Sequence, residues 1–241
     1  MRRFFIDKSN ITKEGLVITG KEAHHIRDVI RLKPDDSFIG FDKDGFQYIC
    51  RIKNINKDKV KAVIERKQKS SLKMQDVTLA CAIPKLSRMD YIVQKATELG
   101  VKNLIPMQTD RTEVKLNEQR AKSKISHWKR IAIESSKQCG RDQILKVSEI
   151  KKFGEVIKNS NRYKTKLIPC IFDKTRPIKG VLSKLQSDAV LILIGPEGDF
   201  TSSEIELAIN AGFIPVSLGP LVLRVDTAAI FALSLVMSEI F

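Results

Sequence analysis

The chain has 241 residues, of which 42% are apolar and 29% charged, a composition typical of a globular protein that excludes an intrinsically disordered one. No apolar run approaches the roughly 20 residues that cross a bilayer, and the N-terminus lacks the apolar core of a signal peptide. The formal net charge is +15, and residues 1–73 hold 18 Lys and Arg against 10 Asp and Glu. This balance indicates a polyanionic partner, foremost a nucleic acid, and predicts no membrane association.

The first 70 residues contain short strand-like runs separated by turn signals. Asp44-Gly45 lies between the runs 38–41 and 46–52, which predicts a β-hairpin. A further run over 59–64 alternates polar and apolar residues, and one helix is predicted around Lys21–Arg31. We therefore expect a small barrel-like β domain with a basic surface. The polar, basic stretch 66–75 that follows is typical of a linker.

After the linker, strand-like and helix-like segments alternate. The predicted strands cover 77–83, 102–107, 167–172, 190–194 and 215–218, and the main predicted helices cover 87–99, 118–138, 201–211 and 227–240, with Ser87 as a helix N-cap. Alternation of this kind favours a mostly parallel sheet covered by helices. In such sheets, ligands bind at the C-terminal ends of the strands.

Two glycine-containing turns fall at such strand ends. In the first, Gly195 and Gly198 let the backbone bend and approach a ligand closely. Thr201 and Glu204 have the spacing of a capping box, so the amides at the start of the next helix are satisfied internally. P-loop and dinucleotide-binding motifs are absent. A cofactor pocket is the leading interpretation, and a tight turn without a ligand stays open.

The second turn, Leu218–Ala228, leads into an apolar last helix. Arg224 stands between Leu223 and Val225, and a charge in such a run needs a partner. That partner is Asp226, a helix terminus or a substrate phosphate, so a structural ion pair stays open. The last helix is apolar on nearly all sides, which predicts burial in its own domain or against a second subunit.

The other polar and ionisable residues give weaker indications of a functional site. Helical spacing places Tyr91, Lys95 and Glu98 on one face and Glu134, Gln138 and Arg141 on another, and a solvated amphipathic face is the favoured interpretation of each. The three histidines lack metal-ligand spacing, and the four cysteines are far apart without a CxxC pair. We predict no metal site, no disulfide framework and a reduced, cytoplasmic compartment.

Several segments in order along the chain resemble one family. They are GPEG followed by T-x-x-E from Gly195, LGP with VLR and D-T-A from Leu218, Q-K-A-T-E-L-G-V from Gln94, D-R-T from Asp110, the stretch from Ile131 to Arg141, His25 to Arg31, and the N-terminal Met1 to Phe5. Together they resemble the RsmE family of 16S ribosomal RNA uridine-N3 methyltransferases, within the SPOUT superfamily. The resemblance covers nearly the whole chain.

The resemblance implies an α/β protein with two domains. Residues 1–72 would form a PUA-like β-barrel that binds RNA, and residues 73–241 a SPOUT domain whose parallel sheet contains a deep trefoil knot. It implies S-adenosylmethionine as cofactor, a homodimer, and 16S ribosomal RNA or the small ribosomal subunit as partner. The implied cofactor loops, with a third loop after the strand 167–172, contain Leu193, Ile194, Gly195, Pro196, Glu197, Gly198, Leu218, Gly219, Leu223 and Arg224.

The remaining implied roles follow from the reaction. Uridine N3 must lose a proton as it attacks the methyl group, and the base must be unpaired because N3 lies on its pairing edge. Arg224 is the first candidate to stabilise the resulting negative charge. Asp226, Glu98 and Glu197 are candidate bases. The expected catalytic residues are Arg224, Asp226 and Glu98. The residues expected to contact RNA are Arg2, Arg3, Arg27, Arg31, Arg88, Lys95, Arg111 and Arg141.

The chain departs from the family pattern at three places. Asp199 stands where glycine is frequent, Leu221 where arginine is frequent, and Val225-Asp226 where Thr-Glu is frequent. The leading function is S-adenosylmethionine-dependent methylation of a uridine N3 in 16S ribosomal RNA. Leu221 keeps open a non-catalytic RNA-binding or ribosome-assembly protein. A SPOUT enzyme acting on ribose hydroxyls of another RNA is the other alternative.

Overall fold

A computed structural model describes residues 2–71, 74–183 and 189–240. By its contacts the chain divides into two compact units, Met1–Lys73 with Ser136–Ile144, and Met74–Ser135 with Leu145–Phe241. The predicted domain boundary between residues 72 and 73 lies outside the described residues. None of the described helices is both long enough and apolar enough to span a membrane.

The first unit is built on a six-stranded sheet that curls into a half-barrel. Its order is β1-β4-β5-β6-β3-β2, and its strands are β1 (Arg3–Phe5), β2 (Ile11–Thr12), β3 (Gly15–Thr19), β4 (Ser37–Phe41), β5 (Phe46–Ile55) and β6 (Lys59–Lys69). Inward-facing side chains from these strands form one apolar core, which includes Phe4, Phe38, Tyr48 and Ile52. The alternating burial along β3 and β6 is what a sheet with one buried face requires.

The predicted hairpin is confirmed, since β4 and β5 pair antiparallel across the Asp44-Gly45 turn. Buried Asp42 organises this turn: its carboxylate accepts hydrogen bonds from the backbone N–H of Asp44 (2.9 Å) and Phe46 (3.0 Å). The hydroxyl of Tyr48 donates a third, at 2.9 Å. A buried carboxylate with three donors is fully compensated.

The helix predicted around Lys21–Arg31 is irregular in the structure. It consists of α1 (Gly20–His24) and a π-helical turn, His25–Val29, in which the Ile30 N–H donates to the His25 carbonyl at 2.9 Å. Arg31 then adopts a left-handed φ of 59°, which ends the helical segment. The sequence pattern located this segment but missed its change of hydrogen-bond register.

Residues 136–144 belong to the first unit, although the resemblance implies that they are part of the second domain. The Asp142 carboxylate pairs with the Arg3 guanidinium and accepts from the Gln47 amide at 2.7 Å. The Lys137 ammonium pairs with Glu22. A mostly buried ion pair of this kind costs several kcal/mol when one partner is removed, so the segment is an integral part of this unit.

The second unit contains a parallel sheet with helices packed on it. The sheet has the order β10-β8-β7-β13-β11-β14-β12, with β9 beside β8. Its strands are β7 (Val77–Ala82), β8 (Asn103–Gln108), β9 (Lys146–Val147), β10 (Lys151–Lys152), β11 (Thr165–Pro169), β12 (Arg176–Pro177), β13 (Val190–Ile194) and β14 (Ile214–Ser217). Its helices are α2 (Arg88–Glu98), α3 (Glu118–Cys139, of which residues 136–139 belong to the first unit), α4 (Phe153–Lys158), α5 (Ile178–Leu182), α6 (Ser202–Asn210) and α7 (Val225–Ile240).

The apolar strands predicted at the centre of this sheet are confirmed. Every residue of β7 and β13 is buried, as expected for parallel strands covered on both faces. Two details differ from the prediction. The strand predicted over 167–172 ends at Pro169, because the Ile171 N–H leaves the ladder and donates to the Asp199 carboxylate at 2.7 Å. Ser87 occupies the N-cap of α2, but its side chain makes no capping hydrogen bond.

Candidate cofactor and RNA site

Three loops of the second unit converge at one edge of the sheet. They follow β11, β13 and β14, which are adjacent and parallel in the order β13-β11-β14, so their C-terminal ends lie side by side. Between the loops is a cavity of about 260 Å³. Its walls come from residues 169–175, 194–199 and 217–228. Both predicted glycine turns therefore contribute to a single cavity, together with the third loop.

The loop after β13, residues 195–200, is fixed from outside the cavity. The Glu197 carboxylate accepts a hydrogen bond from the Lys85 N–H (3.0 Å) and lies 3.4 Å from the Arg88 guanidinium. The Arg111 guanidinium donates to the Gly198 carbonyl at 2.7 Å. These contacts tie the loop to the segments after β7 and β8 and hold its backbone in place.

The predicted capping box at the end of this loop is confirmed. The Thr201 hydroxyl accepts from the Glu204 N–H (3.2 Å), and the Glu204 carboxylate accepts from the Thr201 N–H (2.9 Å). The other Glu204 oxygen accepts from the Asp110 N–H at 3.0 Å. The start of α6 is thus closed by its own side chains, as the sequence indicated.

Asp199 connects two of the three loops. One carboxylate oxygen accepts a hydrogen bond from the backbone N–H of the next residue, Phe200 (2.8 Å). The other accepts a hydrogen bond from the Ile171 N–H in the loop after β11 (2.7 Å). Asp199 has a left-handed φ of 58°, a conformation in which glycine is unstrained and aspartate is tolerated better than most residues. The Asp199 side chain thus adds a hydrogen-bonded link between the two loops, at a position whose backbone conformation glycine would adopt without strain.

The loop after β14 contains unused backbone donors beside the cavity. Within the described parts of the chain, the backbone N–H groups of Leu221, Val222 and Leu223 donate to no protein acceptor. Gly219, in the same loop, has a φ of +130°, and a Cβ there would have nothing within 4 Å. Its glycine requirement is therefore conformational, and the space beside it is open to a ligand.

Most of the predicted cofactor residues line the cavity, and three do not. Those on its walls are Ile194, Gly195, Pro196, Glu197, Leu218, Gly219 and Leu223. Leu193 is fully buried within β13, Gly198 faces the Arg111 side chain, and the Arg224 side chain is exposed. The backbone carbonyl of Arg224 accepts a hydrogen bond from the Ala228 N–H at 2.8 Å, in the first turn of α7.

The three predicted catalytic residues are not brought together. Arg224 and Asp226 lie at the start of α7, beside the cavity. Glu98 is the last residue of α2, and the Lys102 N–H that soon follows donates to the Val77 carbonyl at the beginning of β7. Glu98 therefore lies at the opposite edge of the sheet, paired with Lys95 at 2.7 Å, and the structure does not bring it to the cavity.

Asp226 and Arg224 differ from the other charged residues nearby in lacking partners. The Arg224 side chain forms no hydrogen bond or ion pair with any residue of the described ranges. The Asp226 Oδ1 is buried without a hydrogen-bond partner in those same ranges. A buried, unpaired carboxylate oxygen is costly, which marks Asp226 as a candidate for a function beyond the stability of this unit.

The predicted RNA-contacting residues divide into free and engaged groups. Arg2 and Arg31 are exposed and, as far as the structure describes the chain, have no side-chain partner. The others make internal contacts: Arg3 with Asp142, Arg27 with Asp28, Arg88 with Glu197, Lys95 with Glu98 and Arg111 with Gly198. Arg141 is buried, and burial lowers its pKa to about 10.

Two cysteines lie near the cavity, and both are held as thiols. Burial, with Asp199 nearby, raises the pKa of Cys170 to about 12. Burial also raises the pKa of Cys81, with Glu197 and Asp226 adding to the shift. Because the thiolate is the nucleophilic form, neither cysteine is suited to covalent chemistry at neutral pH.

Comparison with known proteins identifies the class. An RNA methyltransferase domain model matches residues 70–237, and an RNA methyltransferase PUA domain model matches residues 18–65. The chain therefore belongs to the RNA methyltransferases of the SPOUT fold with an attached PUA-like domain, so the fold class implied by the resemblance is confirmed.

Full-length relatives narrow this class to one family. Ribosomal RNA small subunit methyltransferase E of Bacillus subtilis is 32% identical over 97% of this chain and 95% of its own length. The solved structure of ribosomal RNA small subunit methyltransferase E from Neisseria gonorrhoeae, bound to S-adenosyl methionine, is 27% identical, covers 99% of this chain and 97% of its own, and has a TM-score of 0.85. A methyltransferase from Legionella pneumophila with bound SAM is 29% identical, with coverage of 98% and 96% and a TM-score of 0.86. This chain belongs to the ribosomal RNA small subunit methyltransferase E family.

Proposed function

We propose that this chain methylates N3 of a uridine in small-subunit ribosomal RNA, with S-adenosylmethionine as the methyl donor. One observation carries the proposal: three loops at adjacent parallel strand ends enclose a cavity that has unused backbone donors. Two of those loops contain motifs through which the chain resembles its family. The solved relative from Neisseria gonorrhoeae is bound to S-adenosyl methionine.

The residues of the cavity fit this cofactor. Adenine and ribose present several hydrogen-bonding atoms around apolar faces, and backbone groups of Leu221, Val222 and Leu223 supply donors beside apolar walls. Apolar walls with a few fixed polar groups are typical of small-molecule sites. Neither turn has the phosphate-binding motifs of nucleotide sites, in agreement with a cofactor that has no phosphate. When bound, S-adenosylmethionine supplies an electrophilic methyl group.

Arg224 and Asp226 are the residues that act on the substrate. Arg224 is an exposed cation next to the cavity and has no side-chain partner among the described residues, so its guanidinium is available to stabilise negative charge on the uracil oxygens as N3 loses its proton. Of the candidate bases, Glu98 lies at the far edge of the sheet and Glu197 is held by Lys85 and Arg88. Asp226 lies beside the cavity at the start of α7 and, among the described residues, has a carboxylate oxygen without a hydrogen-bond partner, and we assign to its carboxylate the proton from N3.

The experiment that tests the function measures binding and product separately. Calorimetry with S-adenosylmethionine is expected to show saturable binding, and incubation of the protein with 16S ribosomal RNA and labelled cofactor is expected to yield 3-methyluridine by nucleoside mass spectrometry. Ribose-methylated nucleosides in place of 3-methyluridine would favour the alternative SPOUT activity. RNA binding without heat of cofactor binding would favour the non-catalytic alternative.

We further propose that the protein acts as a homodimer. α2 packs against α7, and each helix exposes an aromatic side chain: Tyr91 is 47% and Phe231 is 41% exposed. At the cavity mouth, Leu221 and Val222 are 76% and 78% exposed. Exposed apolar groups concentrated on neighbouring elements are typical of protein interfaces, and a second copy of this chain would cover them.

Sedimentation equilibrium at micromolar concentration tests the homodimer. The unmodified protein is expected to be dimeric, and Phe231→Lys is expected to shift it towards monomer because a lysine would be buried unpaired in the interface. Leu207→Lys is the matched control, since Leu207 is as exposed, at 47%, but lies on α6. A monomeric unmodified protein, or equal dimerisation of both variants, would contradict the proposal.

A further inference from the structure

α3 borders a groove that none of the assigned functions uses. The groove has a volume of about 570 Å³ and is lined by Leu116, Arg120, Ser123, Lys124, Ser126, His127 and Arg130. We call it the α3 groove. The residues recur at helical spacing on one face, and from Arg120 to Arg130 the helix rises about 15 Å. Among the described residues, no acidic side chain lines it.

The cations of the α3 groove differ from the other cations on the same helix. Lys122 pairs with Glu118 at 2.6 Å, and Lys129 pairs with Glu149 at 3.7 Å. Arg120 and Lys124 are exposed, and their side chains have no partner in the described parts of the chain. Carboxylates therefore neutralise the cations outside the groove and leave those inside it available.

Arg130 is held towards the groove by a chain of hydrogen bonds. The guanidinium lies 3.0 Å from the His127 Nδ1, and because arginine only donates, Nδ1 accepts and the His127 Nε2–H donates to Asp90 Oδ2 at 2.8 Å. The buried Trp128 Nε1–H donates to the other Asp90 oxygen at 3.0 Å. One end of the groove thus presents a preorganised cation, which reduces the entropy lost on binding an anion.

The α3 groove is connected to the cofactor cavity through one loop. A smaller neighbouring cavity of about 110 Å³ shares Lys124 with the groove and is also lined by Pro84 and Leu86, from the loop after β7. The same loop supplies the Lys85 N–H that binds Glu197, on the wall of the cofactor cavity. An RNA strand that lies in the groove can therefore continue along this loop towards the cofactor cavity.

We propose that the α3 groove binds the phosphodiester backbone of the RNA substrate. Exposed, unpaired arginine and lysine side chains, with serine hydroxyls between them, are the groups that bind phosphate oxygens in proteins that contact nucleic acids. The groove fixes the position of the RNA on the methyltransferase unit without reading its sequence. This inference rests on the proposed function, and it adds a contact surface outside the first unit and the cofactor loops.

The test compares two double variants with the same change in charge. Arg120→Gln/Lys124→Gln removes two groove cations, and Lys122→Gln/Lys129→Gln removes two carboxylate-paired cations from the same helix. Filter binding of radiolabelled 16S ribosomal RNA transcript is measured at several salt concentrations. We expect the groove variant to bind about tenfold more weakly, with a salt dependence reduced by about 2 in the slope of log K against log[salt]. The control is expected to stay within about twofold of the unmodified protein.

The outcomes separate this inference from the proposed function. Calorimetry with S-adenosylmethionine is expected to give the same affinity for both variants, which shows that the fold and the cofactor cavity are intact. If the unmodified protein methylates the RNA but both double variants bind RNA equally, the α3 groove is not an RNA site. If the groove variant loses affinity for a protein of the small subunit while keeping affinity for the RNA, the inference is likewise overturned. Failure of the unmodified protein to bind cofactor would instead overturn the proposed function.

Discussion

Replacing Gly195 with valine is expected to weaken S-adenosylmethionine binding by about 5- to 100-fold. A Cβ at this position would lie 3.1 Å from the Phe200 ring and 3.2 Å from Asp199 Oδ1, and valine adds two methyl groups beyond it. Asp199 cannot shift without losing its 2.7 Å hydrogen bond from the Ile171 N–H. Overpacking of this kind costs about 1–3 kcal/mol, and about 1.4 kcal/mol corresponds to a tenfold change in affinity. Isothermal titration calorimetry measures the change directly.

A neighbouring glycine supplies the control. A Cβ on Gly198 would meet only the Arg111 side chain, at the ordinary contact distance of 3.5 Å. Gly198→Ala is therefore expected to change cofactor affinity less than about twofold, whereas Gly195→Ala is expected to weaken it measurably. Thermal unfolding of each variant checks that the second unit remains folded. Unchanged affinity in a folded Gly195→Val protein would place the cofactor elsewhere.

Removing the Arg224 side chain is expected to slow methyl transfer by a factor of about 10²–10³, with cofactor affinity within about threefold of the unmodified protein. The two effects separate because the Arg224 side chain is exposed and is not on the wall of the cofactor cavity. Single-turnover methylation of 16S ribosomal RNA measures the rate, and calorimetry measures the affinity. Lys158→Ala, which removes an exposed cation at the end of α4, is expected to leave both unchanged.

Asp226→Asn distinguishes charge stabilisation from proton removal at the same site. Asparagine has nearly the same shape but cannot take the N3 proton, so its rate is expected to recover as pH rises and solvent hydroxide removes the proton. The methylation rate of Arg224→Ala is expected to be lower than that of the unmodified protein by a similar factor at every pH in the same range. Full activity of Arg224→Ala, or an Asp226→Asn deficit that does not change with pH, would contradict the role assigned to that residue.

Local features of the site followed from the sequence because short-range chemistry determines them. The capping box of Thr201 and Glu204 needs only a fixed spacing, and the buried strand before it needs only a continuous apolar run. The convergence of both glycine turns followed from the rule that parallel strands place their C-terminal ends together. The PUA-like domain, the SPOUT fold and its implied knot came from the resemblance, since periodicity carries no information on how strands are ordered.

Features that depend on long-range contacts could not be predicted. The resemblance implies a catalytic role for Glu98, because its segment matches the family. In the structure Glu98 is the last residue of α2, so it lies at the edge of the sheet opposite the cavity. The roles of Asp199 and Arg111 depend on partners 28 and 87 residues away. The strands β9, β10 and β12 have two residues each, too few for any pattern to show.

The placement of residues 136–144 has a consequence for how the protein is made. These residues complete the first unit through the Arg3–Asp142 and Glu22–Lys137 pairs, although most of the second unit's sequence surrounds them. During translation, the strands of the half-barrel are therefore synthesised before the segment that neutralises Arg3. More than sixty further residues must be added before Asp142 is made. The first unit is thus discontinuous in sequence, and a gene truncated after the linker would encode a half-barrel with an unpaired, partly buried cation rather than a finished domain.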